Sequence, residues 1–198
     1  MGKRFIKRVI SVMLCTVTLL CFGGCFGHKQ KPSPVSGGTV DKTDYDAPKI
    51  IESKEITDFS ASFFLRNEKQ GGWDGRKYSF KVYKNESGVL TAEEEKLKIS
   101  APADDKLLKA LQGVIDEQKL VQKNGICKYT SGLAPAFQPC NCTVNYASGE
   151  KLTFTENNNP EAEWAQKIYS VFAEWFAENG DDTLLPEDET ETATESQP

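Results

Sequence analysis

Apolar and polar positions change their spacing several times along this chain, and each change marks an element. An uncharged, mainly apolar run covers Val9 to Phe22. A polar stretch without any apolar period follows to about Pro48. Phe59, Ala61, Phe63 and Leu65 then alternate with polar or mixed residues, which predicts a strand. Tyr78, Phe80 and Val82 alternate in the same way. Asn85-Glu86-Ser87-Gly88 makes a turn into Val89-Leu90, and Leu97 with Ile99 marks a further short strand. A helix is predicted next, with Asp104 as N-cap and Leu107, Leu108, Leu111, Val114 and Ile115 on one face, stopped by Asn124-Gly125. Ile126–Thr130 and an irregular apolar loop, 131–139, lead into a hairpin. Its arms carry Val144 with Tyr146 and Leu152 with Phe154, around a turn at Ala147-Ser148-Gly149-Glu150. The last helix is predicted from Asn159 as cap and Pro160 as first residue. Trp164, Ile168, Val171, Phe172, Trp175 and Phe176 recur at steps of three and four, and Asn179-Gly180 ends it. Strands, helix, strands and helix in this order, with short local connections, predict an α+β domain. The expected form is an antiparallel sheet of five to six strands with two amphipathic helices packed on one face.

The N-terminal run is too short for the roughly 20 apolar residues that span a bilayer and suits the about 7–15 of a signal-peptide core. Lys3, Arg4, Lys7 and Arg8 precede it, and small residues follow it. Extension through Phe26 gives a borderline span, so an uncleaved anchor is the alternative. Phe22-Gly23-Gly24-Cys25 resembles the lipobox of bacterial lipoproteins, with Phe22 where Leu is usual. The resemblance implies that residues 1–24 are a signal peptide and that Cys25 receives a diacylglycerol. Cys25 then begins a mature protein held at the cell membrane and facing outside the cytoplasm. Two acyl chains anchor a protein stably where one does not.

Removing residues 1–24 takes away four basic residues and no acid, leaving a formal charge of −9 against −5 for the whole chain. Seven acids and no base lie in 181–198, so the acidity sits largely in a tail expected to be disordered. Residues 25–48, rich in Pro, Ser, Gly and charge, are expected to be a flexible linker, and 49–180 a single domain. No basic patch with interleaved aromatics points to nucleic acid.

The only histidine, His28, lies in the predicted linker. That removes Ser-His and Cys-His pairs and His-rich metal sites from the domain; no cofactor or metal is indicated. Three cysteines remain besides Cys25 in the exported part: Cys127, Cys140 and Cys142. Cys127 joined to Cys140 or to Cys142 would staple the apolar loop. A Cys140–Cys142 pair would instead suggest thiol-redox chemistry, and three thiolates a metal site. Leu133 and Phe137 in the loop, and Trp73 in a glycine-rich turn, are candidate partner-binding residues; the alternative is that Leu133 and Phe137 tuck under the loop and that Trp73 covers an open sheet end. The run Glu93-Glu94-Glu95-Lys96 reads as a solvated turn or strand start.

Leu133-Ala134-Pro135, Tyr146-Ala147-Ser148-Gly149-Glu150, Asn159-Pro160 and Trp164 together resemble small uncharacterised lipoproteins of Gram-positive bacteria. This implies a location and a one-domain shape, and brings no activity. The sequence therefore favours a non-enzymatic binding or accessory domain for an envelope protein, peptide or glycan. An envelope enzyme is the alternative, either a redox protein using Cys140 and Cys142 or a carboxylate-based hydrolase.

Overall fold

A computed structural model of the chain describes residues 37–66 and 76–185. The predicted signal peptide 1–24, Cys25, Trp73 and the predicted tail beyond residue 185 lie outside the described residues. The fold is α+β, with one layer a single sheet of eight strands. In chain order these are β1 (Thr39–Asp41), β2 (Ile56–Phe64), β3 (Lys77–Lys84), β4 (Leu90–Glu94) and β5 (Ile99–Pro102). Helix α1 (Asp105–Glu117) follows, then β6 (Cys127–Thr130), β7 (Pro139–Tyr146), β8 (Lys151–Asn157) and helix α2 (Glu163–Glu178). Their order across the sheet is β1-β6-β8-β7-β2-β3-β4-β5.

The alternation along β2 aims Phe59, Ala61 and Phe63 at one face. Register puts Val82, Phe80 and Tyr78 of β3 beside them, and Val144 and Cys142 of β7 on the other side. Both helices pack on this face. Phe172 stacks on Phe80 with ring centres 4.4 Å apart, and Trp164 makes T-shaped contacts with Phe63 and Phe154, each with ring centres 5.4 Å apart. Leu107, Leu111, Val114 and Ile115 of α1 join the same core. The Trp175 indole Nε1–H donates to the Pro102 carbonyl at 3.0 Å and ties α2 to the far edge strand.

The structure corrects several expectations. The strand count is eight because β1 and β6, only three and four residues long, add to those the alternation shows. One pair, β6 with β8, is parallel; the chain passes from β6 to β7 beyond it and β8 then fills the gap, with no α-helix in the connection. The assigned linker 25–48 ends early, since Thr39–Asp41 pairs with β6 and 42–50 runs along the sheet edge as a strap. Asp104 caps α1 as expected, its carboxylate accepting from the Lys106 and Leu107 N–H groups at 2.7 and 3.3 Å. That helix ends at Glu117, however, because Lys119 turns left-handed (φ 50°) before a 3₁₀ turn at Leu120–Lys123. Pro160 lies in the turn before α2, and the helix itself starts at Glu163. At the other end the domain runs past 180: Leu184 is buried and its carbonyl accepts from the Tyr169 hydroxyl at 2.6 Å.

No helix among the described residues is long and apolar enough to cross a membrane.

Candidate functional site

The three cysteines are free thiols. This overturns the Cys127 staple, and the reason is topological. β8 lies between β6 and β7, so Cys127 stands two strand spacings, roughly 10 Å, from the β7 cysteines. A disulfide needs α-carbons closer than about 7 Å. The faces differ as well. Cys127 is in the row of Thr155 and Asn141, whereas Cys142 is in the row of Phe154. Cys140 and Cys142 are 1% and 0% exposed. Burial, and then the Glu156 carboxylate, push the Cys140 thiol up to about 12; burial, and then Cys140, push Cys142 higher still. A redox thiol needs thiolate character and access, and this pair has neither in the structure.

Leu133 and Phe137 are half-buried around a 3₁₀ turn, Pro135–Phe137, whose Ala136 is buried. Asn158 closes this loop from the core. Its side-chain amide donates to the Ala136 carbonyl at 2.7 Å and to the Phe64 carbonyl at 3.0 Å, and its oxygen accepts from the Phe64 N–H at 3.0 Å. Three satisfied hydrogen bonds explain why a buried amide is tolerated there.

Two surfaces remain open. The sheet face opposite the helices carries Ser60, Thr143 and Thr153 in one row and Asn141, Thr155 and Cys127 in the next. The Thr143 and Thr153 hydroxyls share a hydrogen bond at 3.0 Å. One-sided burial of this kind suits an antiparallel sheet. At the edge of the face, the strap displays Tyr45 and Ile50, 79% and 76% exposed.

The strap itself is firmly held. The Lys42 and Asp44 N–H groups donate to the Cys127 and Gly125 carbonyls at 2.8 and 2.9 Å. Asn124, buried, donates from its side chain to the Pro48 carbonyl at 2.9 Å and accepts from the Thr153 N–H at 2.8 Å. Gly125 has φ +80°, and a Cβ there would stand 2.4 Å from both Ala47 Cβ and the Asp44 carbonyl oxygen. Under the strap lies a cleft of about 440 Å³, lined among others by Lys42, Asp44, Cys127, Lys151, Thr153 and Thr155.

Three polar residues escaped the sequence reading. Glu94 is not in a solvated turn but fully buried at the end of β4, where its carboxylate accepts from the Ser79 and Leu97 N–H groups at 2.9 and 2.6 Å. Ala92 and Glu94 share a face by strand alternation, and that was the available signal. Asn158 and Asn124 have no such signal, because a polar residue next to a turn reads as solvated.

Among the described residues no cluster of three or more His, Cys, Asp or Glu side chains is placed to hold a metal ion. Comparison of the chain with protein-family models, curated proteins and solved structures finds no match.

Proposed function

We propose that the protein is a lipid-tethered binding or accessory domain that works outside the cytoplasmic membrane and docks an envelope protein through its strap. The observation that carries this is the display of Tyr45 and Ile50 on a segment that is otherwise hydrogen-bonded into the fold. Large exposed side chains on ordered backbone lose little freedom on binding, and tyrosine is enriched at interface hot spots. The bare polar sheet face beside the strap supplies hydroxyl and amide partners for a surrounding rim. The tether places such a domain within reach of membrane proteins and leaves the strap at the N-terminal, anchored end of the fold.

The test uses cross-linking in intact membranes with the full chain. Wild type and Val89→Ser, whose exposed valine lies in the β3–β4 turn, should capture the same partner. Tyr45→Ala combined with Ile50→Ser should lose that partner with the thermal midpoint unchanged. An identical cross-linking pattern in all three would end the docking proposal. The tether is checked separately: Cys25→Ser should abolish incorporation of radiolabelled lipid and leave an unprocessed precursor, and continued labelling would refute it.

A further inference from the structure

We propose that the cleft beneath the strap binds a small elongated organic dianion, in its simplest form a linear dicarboxylate. This goes beyond the docking surface and stands without it. Many lysines of the fold already have partners: Lys54 is paired with Asp116, Lys106 with Glu178 and Lys123 with Glu156. Lys42 and Lys151 do not, since among the described residues neither ammonium has a hydrogen-bond or ion-pair partner. Lys84, Lys96, Lys98, Lys109 and Lys119 are also without such partners among the described residues, but none of them lines this cleft. Lys42 and Lys151 share one concavity.

Their placement sets the shape of the ligand. Lys151, Thr153 and Thr155 alternate along β8 and lie on the helix-free side, in the rows of Asn145, Thr143 and Asn141. Residue 151 to residue 155 spans about 13 Å of strand. Lys42 belongs to the far end, because its N–H donates to the Cys127 carbonyl and Cys127 is paired with Thr155. The cleft thus runs between two cationic ends with threonine hydroxyls between them, and Ala47 and Pro48 form part of its apolar wall. Asp44 is the one acidic side chain in the lining; its carboxylate accepts the Asp46 N–H at 3.0 Å, and the two lysines outweigh its charge. A ligand with a carboxylate at each end satisfies both ammoniums at once. A concave wall of low dielectric strengthens each contact relative to a flat surface.

The experiment uses the full chain in detergent, with Cys127 as a reporter rather than a participant. Cys127 lines the cleft and is half-buried, while Cys140 and Cys142 are buried. Alkylation of Cys127 is timed in the presence of adipate, butyrate or the diamine cadaverine, and the thermal midpoint is read in parallel. Adipate should slow the alkylation saturably and raise the midpoint, butyrate should do so more weakly, and cadaverine should do neither. Lys42→Ala and Lys151→Ala should each weaken the adipate effect about fivefold, the worth of one partly screened ion pair. Adipate and cadaverine acting alike, an adipate effect unchanged in both variants, or no adipate effect on either readout would each overturn the proposal. If Cys127 proves unreactive, the thermal midpoint alone decides.

Discussion

Cys127 differs from Cys140 and Cys142 in the side of the sheet it faces, and that separates their chemistry. The two β7 thiols stand in the row of core side chains, with Ala61 and Phe154 flanking Cys142, and behave as small buried hydrophobes. Their raised proton affinity follows from that environment and not from any tuning toward reactivity. Under native conditions an alkylating reagent should modify Cys127 alone of these three, with Cys140 and Cys142 reacting only after unfolding. Peptide mapping of the non-reduced protein should show no bridge among the three. A Cys127–Cys140 bridge recovered there would require β8 to leave its place and would contradict the strand order. Glu94 is the counterpart among charged residues: a fully buried carboxylate held by two backbone donors. Glu94→Ala strands the Ser79 and Leu97 N–H groups. It should cost on the order of 2–6 kcal/mol, at about 1–3 kcal/mol for each unsatisfied donor. Urea denaturation measures this directly, and an unchanged midpoint would show that water reaches both groups.

The elements with the strongest period were the ones legible in the sequence. β2, β3, the β7–β8 hairpin and both helices appear where alternation and helical spacing place them, because one face of each is buried and that burial writes the pattern. β1 did not show, since three residues of edge strand leave no alternation to read; its stability comes from Lys42, Asp44 and Gly125 in contacts distant along the chain. The parallel β6–β8 pair was equally hidden, because strand order depends on where loops lead and not on side-chain period. Of the candidate site, Cys127 is legible in the sequence but its cleft is not, because the strap that forms it has the composition of a linker. In the sequence Gly125 signals only a helix stop, yet the strap packs against it too closely for any Cβ. Gly125→Ala should destabilise the fold by at least about 1–2 kcal/mol from the left-handed backbone alone. The clash with Ala47 and Asp44 adds to that. Hydrogen exchange should report the loss first at the Asp44 amide. Exchange there as slow as in wild type would mean that the strap is held without this contact.

At the scale of the whole molecule, carboxylates fasten the N-terminal segment to the rest of the fold. Glu150, in the β7–β8 turn, accepts from the Glu52 and Ser53 N–H groups at 3.0 Å each and from the Ser148 hydroxyl at 2.7 Å. The Glu52 backbone bond, then Ser148 and Ser53, hold its pKa below the ordinary value of 4.5. Asp41 at the end of β1 is likewise lowered, by the Thr43 hydroxyl and N–H and then by Lys128. A carboxylate with a depressed pKa in the folded state binds its proton more tightly once unfolded. Its contribution is therefore complete above the unfolded pKa and is lost as pH falls through the folded one. Both groups act in the same direction, so the segment 41–53 should loosen on acidification, starting below about pH 4.5. Asp41→Asn combined with Glu150→Gln removes the charges with little change of shape. The double variant should lose stability at pH 7 and show a flatter fall in denaturation midpoint between about pH 5 and pH 3 than wild type. Hydrogen exchange across the same range should open the amides of Lys42, Glu52 and Ser53 before those of β2 and β7. Parallel acid limbs for wild type and variant would show that the acid sensitivity of the fold lies in other carboxylates.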